Sequence, residues 1–203
     1  MKIFCVGRNY IDHAKELGNA VPEEPVIFMK PKSALLQPHA PFYYPEFSNE
    51  LHYELELVVR ISKNGKYIPE KQAIKYIDAI TVGIDFTARD VQAELKKKGL
   101  PWEKAKAWDN SAVIGNWYPL PQDLGKEELL FSMKKNNEVV QSGNSKDMIF
   151  SFAHIIAHVS QYFSLNIGDL IYTGTPAGVG EVVVGDVLEG FYGKEKAFEL
   201  EIK

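Results

Sequence analysis

The sequence predicts a strand-rich α+β fold with a mixed sheet and few helices, and three observations carry that expectation. Short runs of β-branched and aromatic residues recur along the chain, closed by Gly, Pro, Asn or Asp. Only two stretches, 88–98 and 145–163, read as helices of more than two turns. No internal repeat, low-complexity tract or long linker divides the 203 residues, so residues 1–203 are expected to form one domain.

Composition narrows the function classes. Hydrophobic residues make up 45% of the chain and charged residues 25%, ordinary values for a soluble globular protein. A net charge of -4 and a pI near 5.8 argue against a nucleic-acid partner. No apolar run approaches the length of a membrane span, and Met1–Val6 is too short for a signal segment. The lone Cys5 excludes an intramolecular disulfide and fits a reducing compartment. The expectation is a cytoplasmic protein without a membrane partner.

In chain order, residues 2–6 read as a strand and Gly7-Arg8-Asn9 as a turn, followed by a short helix from Tyr10 to Leu17 stopped by Gly18-Asn19. On it, His13 and Glu16 stand at i and i+3, within reach of each other. That spacing fits a surface ion pair as well as a carboxylate orienting a catalytic imidazole. A strand at 26–29 leads into 30–48, which prolines at 31, 38, 41 and 45 make mostly extended loop. Lys63–Lys66 reads as a hairpin-type turn, 70–76 as a short helix and 77–86 as a buried strand. Thr87 is expected to cap helix 88–98, with Asp90 completing the box, Lys96, Lys97 and Lys98 favoured by the dipole, and Gly99 at C′.

Ala112–Gly115 follows as a strand. Leu129–Met133 and Glu138–Gln141 make a hairpin through Lys135-Asn136-Asn137. In 145–163 the residues Ile149, Phe152, Ile156, Val159 and Phe163 mark the buried stripe, while His154 and His158 fall on the polar side with Ser151 and Gln161. That pair reads as a solvated face, not a metal site. Strands at 169–173, 186–192 and 196–202 close the chain. The run Gly174–Gly180 lacks the Lys-Ser/Thr ending of a phosphate loop and precedes no helix, so it reads as tight backbone near a ligand, with Thr175 offering hydroxyl and N–H.

The stretch His52–Arg60 is the chemical centre. Glu54 and Glu56 interrupt an apolar strand at i and i+2, which places both side chains on one face. Asp85 ends the apolar run Ile80–Ile84 and could bring a third carboxylate to the same end of the sheet. An all-oxygen set suits Mg2+ or Mn2+, or Ca2+, better than zinc. The same alternation also fits a solvated face of a half-buried sheet, and spacing leaves both readings open.

Six motifs in order then resemble one family. Gly7-Arg8-Asn9-Tyr10 with His13 and Glu16, Phe28-Met29-Lys30-Pro31, Glu54-Leu55-Glu56, Asp85–Asp90, Lys106 and Thr173–Gly180 are similar to the fumarylacetoacetate hydrolase superfamily. The likeness spans nearly the whole chain and is greatest to its small acylpyruvase / oxaloacetate decarboxylase-like branch. The resemblance implies a mixed β-roll of the fumarylacetoacetate hydrolase C-terminal-domain type. Residues 1–50 would supply a strand, a lid helix and a loop, and 51–203 the β-roll core. It implies a homodimer, and Mg2+ or Mn2+ held by Glu54, Glu56 and Asp85. It places His13 and Glu16 on a lid over the substrate, Lys106 beside the metal, Arg89 and Gln92 near the substrate, and Thr175 at its carboxylate; Arg8, Tyr10 and Lys30 join the substrate set. Two features depart from the pattern. Trp108-Asp109 follows Lys106 where relatives often carry other residues, and His52 is not a ligand.

The chemistry implied is enolate formation on a small 2-oxo or 2,4-dioxo acid. A metal polarises the 2-oxo acid, Lys106 faces the developing oxyanion, and His13 with Glu16 acts as general base. Hydrolysis of a 3-acylpyruvate, of fumarylpyruvate or acetylpyruvate type, to pyruvate and a carboxylate is the leading expectation. The alternatives on the same site are oxaloacetate decarboxylase or tautomerase activity and 2-hydroxyhepta-2,4-diene-1,7-dioate isomerase-type activity. The remote one is a keto-acid binder without turnover.

Overall fold

The computed structural model describes residues 1–203 except Leu17, Asn19, His39, Gly125 and Lys126. The end of the first helix and one residue of the 30–48 loop therefore lie outside the described residues. Apolar alternation along the chain condenses into three sheets. Seven strands form the largest, in the order Ile27–Lys30, Ile3–Val6, Leu170–Tyr172, Leu55–Ile61, Ile77–Asp85 and Ala112–Ile114, with Tyr118–Pro119 paired beside Ile77–Asp85. Ile3–Val6 runs parallel to Leu170–Tyr172 and the other pairs are antiparallel, so the sheet is mixed, as predicted. A four-stranded antiparallel sheet orders Glu138–Asn144, Leu130–Lys135, Val187–Tyr192 and Glu195–Glu201. The smallest pairs Gly180–Glu181 with Leu51–Tyr53 and Leu51–Tyr53 with Thr87–Ala88.

Leu55–Ile61 and Ile77–Asp85 are buried at almost every residue, which explains why their sequences are near-continuous apolar runs. The core reaches outward from this pair to Phe42, Phe131, Phe152, Ile156 and Leu188. In the hairpin 130–144, Asn136 and Asn137 take φ of 52° and 70°, the left-handed pair that a two-residue hairpin turn requires and that Asn tolerates.

Three expectations need correction. The long helix begins at Phe152, not at 145, with Ser151 Oγ accepting from His154 N at 3.2 Å. Residues 149 and 150 are drawn off the helical path because Asn9 takes their N–H groups: Ile149 N donates to Asn9 O at 2.8 Å and Phe150 N to Asn9 Oδ1 at 2.6 Å. Lys63–Lys66 is not a tight hairpin turn. Gly65 instead exchanges backbone hydrogen bonds with Leu165, and residues 62–76 carry a helix at Glu70–Ala73 and a 3-10 turn at Ile74–Tyr76. Helix Arg89–Lys97 is capped by Ala88 without a side-chain bond, while Gly99 does take φ +64° after it. Thr87 is a strand residue with a different task.

The polar stripe of helix Phe152–Tyr162 is a ring ladder. Phe150, His154, His158 and Tyr162 follow one another with centroids 5.4, 6.5 and 5.4 Å apart, and His154 Nδ1 lies 3.3 Å from Glu70 Oε2. No helix among the described residues is long and apolar enough to cross a membrane.

Candidate active site

Register brings the three carboxylates together. Leu55 pairs with Ile84 and Glu56 with Gly83 across the two central strands. One step further, Asp85 N donates to Glu54 O at 2.9 Å, so Glu54 and Asp85 are cross-strand neighbours on one face. Glu54 itself interrupts the predicted 52–60 strand, falling between Leu51–Tyr53 and Leu55–Ile61. Glu56 opposes a glycine, and a Cβ on Gly83 would lie 2.3 Å from Val113 O, so no larger residue fits there. Each carboxylate offers an oxygen within 4.8 Å of the others, and all three are buried. The trio is no solvated face.

Cations surround it. Lys106 Nζ donates to Glu54 Oε2 at 2.8 Å, Asp85 Oδ2 at 2.7 Å and Thr87 Oγ1 at 2.5 Å. Arg89 Nη2 reaches Glu54 Oε1 at 2.7 Å, and Arg89 Nη1 donates to Gln92 Oε1 at 2.8 Å. Lys30 Nζ lies 2.8 Å from Asp85 Oδ1, but its N–H groups go to the backbone oxygens of Lys106 and Ser111 and to Ser111 Oγ. Asp85 Oδ1 is consequently a buried oxygen that accepts no hydrogen bond, in spite of the nearby charge. A carboxylate oxygen without a hydrogen bond, in a buried trio whose oxygens lie within 4.8 Å of one another, fits a hard divalent cation.

The charges answer this field in opposite ways. Burial raises the Glu54 carboxyl, yet Lys106 and then Arg89 outweigh it and hold it well below the usual carboxylate range. Burial opposes the Lys106 charge too, but Asp85 and Glu54 keep the ammonium above the ordinary lysine value. Glu56 is pushed well up, by burial first and then by Asp85 and Glu54, with only the Gly174 N–H (2.7 Å to Oε2) and Lys106 pulling the other way. Glu56 therefore keeps its proton to higher pH in the metal-free protein, and a divalent cation must release it. Mn2+ affinity is expected to rise with pH, and calorimetry in two buffers of different ionisation enthalpy should detect proton release; buffer-independent heats would exclude it.

Loops complete the arrangement. Thr173 and Thr175 donate their hydroxyls to Leu57 O at 2.9 Å and Leu55 O at 2.8 Å, laying the glycine-rich loop along the carboxylate strand. Gly174 sits between them at φ +97°, and a Cβ there would meet Asn9 Cβ at 2.6 Å. Asn9 Nδ2 in turn donates to Thr173 O and Phe150 O, and Gln141 ties Leu55 N to Thr175 Oγ1 and Pro176 O. Both amides are buried and position the loop.

His13 is 2% exposed on helix Ile11–Glu16, and its Nδ1 lies 3.2 Å from Glu16 Oε2. Glu16 Oε1 accepts from Gly178 N at 3.0 Å, so the helix is tied down on the glycine-rich loop. His13 is among the groups that help to hold the Glu54 carboxyl low, after Lys106 and Arg89. The structure thus gathers Glu54, Glu56, Asp85, Lys30, Lys106, Arg89 and Gln92 directly, while His13 and Glu16 join through the glycine-rich loop that Gly174 and Gly178 share. Tyr10 is buried with a hydroxyl that has no partner among the described residues; burial, then Glu56 and Asp147, raise its phenol. Thr175 is buried and its hydroxyl is already engaged by Leu55 O and Gln141. Among the described residues, the Arg8 side chain hydrogen-bonds Ala20 O at 3.5 Å and none of the three carboxylates. Trp108 lies over the Lys30 ammonium at 5.5 Å and packs edge-on against Phe47, a wall of the site.

Sequence reading missed Thr87, Asn9 and Gln141. Thr87 Oγ1 donates to Glu54 Oε1 at 2.9 Å while accepting from Lys106, so it orients both. Its signal was present: Asp85 and Thr87 are i and i+2 on extended backbone. Gln141 carried none, because its role depends on how the hairpin packs.

The family model described as fumarylacetoacetate (FAA) hydrolase C-terminal matches residues 2–200. The chain belongs to the fumarylacetoacetate hydrolase family. Among curated proteins it is 43% identical over 187 residues to the mitochondrial oxaloacetate tautomerase of Mus musculus, covering 92% of this chain and 85% of that one. It is 43% identical over 188 residues to an oxaloacetate tautomerase of Escherichia coli, covering 92% and 86%. Among solved structures, a fumarylpyruvate hydrolase from Pseudomonas aeruginosa in complex with Mn2+ and pyruvate superposes with a TM-score of 0.92 at 36% identity, over 100% of this chain and 89% of that one. The chain is an enzyme of this family, with an acidic trio placed for a divalent cation.

Proposed function

We propose that this enzyme uses Mg2+ or Mn2+ on Glu54, Glu56 and Asp85 to hydrolyse the C3–C4 bond of 3-acylpyruvates, giving pyruvate and a carboxylic acid. The observation that carries this reading is the buried His13, paired with a Glu16 that is tied to the glycine-rich loop, together with the Lys106 ammonium on the carboxylates. When bound, the divalent cation supplies Lewis-acid polarisation of the 2-oxo acid's oxygens. With Nδ1–H donated to Glu16, His13 keeps a lone pair on Nε2. That nitrogen takes a proton from water as the water oxygen bonds to C4. The electrons of the breaking C3–C4 bond pass to the pyruvate enolate, and the proton returns to C3. Lys106 places positive charge where the enolate oxygen develops. Arg89 and Gln92 hold the substrate, the Tyr10 hydroxyl is a free buried donor, and Thr175 and its neighbours shape the carboxylate end. Lys30 keeps Asp85 and the Lys106 backbone in place.

A second reading is oxaloacetate tautomerisation, favoured by the 43% identity to oxaloacetate tautomerases over more than nine-tenths of this chain. It needs the same base to move a proton between C3 and the enol oxygen, and no water attack. The homodimer implied by family resemblance, and the cytoplasmic setting that fits the lone buried Cys5, belong to this reading as well. The deciding assay offers acetylpyruvate, fumarylpyruvate and enol-oxaloacetate with Mn2+. Pyruvate release from the acylpyruvates, abolished by EDTA, is the expected result. Enol-to-keto conversion of oxaloacetate without pyruvate release would replace hydrolysis by tautomerisation.

A further inference from the structure

The proposed reaction gives His52 no task, yet this half-buried imidazole has a partner at each nitrogen. Nε2 lies 3.1 Å from Glu50 Oε1, and Nδ1 accepts from Arg89 Nε at 3.4 Å. A guanidinium N–H can only donate, so Nδ1 carries no proton. The ring proton then sits on Nε2, where the Glu50 carboxylate favours it. Backbone pairing delivers Arg89 to this ring. Leu51 stands opposite Ala88 and His52 opposite Thr87, and one step on, Arg89 N donates to Glu50 O at 2.8 Å.

Three Arg89 nitrogens have acceptors: Nε on His52, Nη1 on Gln92 Oε1 at 2.8 Å and Nη2 on Glu54 Oε1 at 2.7 Å. The three acceptors differ in kind. Glu54 is a candidate cation ligand and Gln92 a candidate substrate contact, so both have other work once the site fills. His52 has none. Its bond is the longest of the three, but it acts on Nε, the nitrogen joined to the side-chain stem, and so restricts rotation of the guanidinium about that stem. A surface histidine paired with a carboxylate, as His154 is with Glu70, would explain the Glu50 contact alone. It leaves the Arg89 contact without a reason, since a ring placed only to pair with Glu50 need not turn its unprotonated nitrogen to a guanidinium.

We infer that His52 is a positioning residue: its Nδ1 holds the Arg89 guanidinium in place for the 2-oxo acid while Glu54 serves the cation and Gln92 the substrate. The inference rests on the proposed function only in taking Arg89 as a substrate contact. Glu50 supports it from behind, by favouring the ring proton on Nε2 and leaving Nδ1 free to accept.

The test separates the acceptor from the bulk of the side chain. His52→Phe and His52→Val both suit a strand and both lack the acceptor, whereas His52→Asn puts an amide oxygen as far along the side chain as Nδ1. Calorimetry at saturating Mn2+ gives Kd for pyruvate, steady-state rates give KM and kcat for acetylpyruvate, and melting is followed on the metal-free protein. Both acceptor-free variants should weaken pyruvate binding and raise KM by about five- to tenfold with kcat within about twofold, the pattern of lost uniform binding. His52→Asn should recover most of that loss. Metal-free melting should stay within about 2 °C of native, whereas loss of a purely structural histidine would lower it. In an Arg89→Lys background, which offers no Nε–H, the same substitutions should change nothing further, and this comparison decides even where a variant melts lower. A pyruvate Kd within about twofold of native in both acceptor-free variants, a His52→Asn no better than His52→Phe, or an undiminished loss in Arg89→Lys would overturn the assignment. A native enzyme that hydrolyses neither acetylpyruvate nor fumarylpyruvate refutes the hydrolase reading, while the pyruvate Kd still decides the role of His52.

Discussion

Lys106→Met lowers the melting temperature of the metal-free protein by about 10 °C. The ammonium is 2% exposed and bridges Glu54, Asp85 and Thr87 at 2.8, 2.7 and 2.5 Å. Methionine keeps the stem but leaves two buried carboxylates without their central cation. Removing one partner of a buried ion pair typically costs about 3–5 kcal/mol, and a chain of this size loses about 2–4 °C per kcal/mol. Lys30 and Arg89 remain to hold part of the charge, which keeps the expectation at the lower end. The physical point is that Lys106 acts as an internal cation for the trio. Mn2+ should therefore raise the melting temperature of Lys106→Met by more than that of the native protein. Calorimetric melting with and without Mn2+ reads both effects. A metal-free variant that melts within about 2 °C of native would show that the ammonium is not what keeps the carboxylates buried.

His13→Ala lowers acylpyruvate hydrolysis by about 10²–10⁴-fold, the usual contribution of a positioned general base. The substitution removes a ring that touches Glu16 and leaves all three carboxylates in place, so Mn2+ affinity should stay near native. Glu16→Gln is the finer probe. It keeps an acceptor for Gly178 N while removing the negative charge beside His13 Nδ1, so hydrolysis should fall by less than in His13→Ala. Steady-state rates at saturating Mn2+ measure this. Hydrolysis at native speed in His13→Ala would remove the imidazole from the reaction and return the chemistry to proton transfers run by other groups.

Much of this was legible in the chain. Alternation placed Glu54 and Glu56 on one face, and the apolar run before Asp85 marked a strand end that could bring a third carboxylate. The hairpin at Asn136-Asn137 and the Gly99 stop followed from local conformational preference, which needs no tertiary context. Failures came where a distant residue won a backbone group. Asn9 drew Ile149 and Phe150 off the helical path, Leu165 took the hydrogen bonds of Gly65, and Thr87 gave its hydroxyl to Glu54 and Lys106 rather than to a helix N-terminus.

By itself, the sequence determined which residues could do chemistry, through residue type and a period of two that is a property of any extended backbone. Only the tertiary structure decided that they do it together. Glu54 meets Asp85 because register places them opposite each other, and the trio is buried because Lys106 and Arg89 arrive from helices encoded later in the chain. Glu54 and the Lys106 that neutralises it are separated by 52 positions in sequence. No local pattern encodes that meeting; burial of the surrounding strands imposes it, because charges left unpaired there would be too costly.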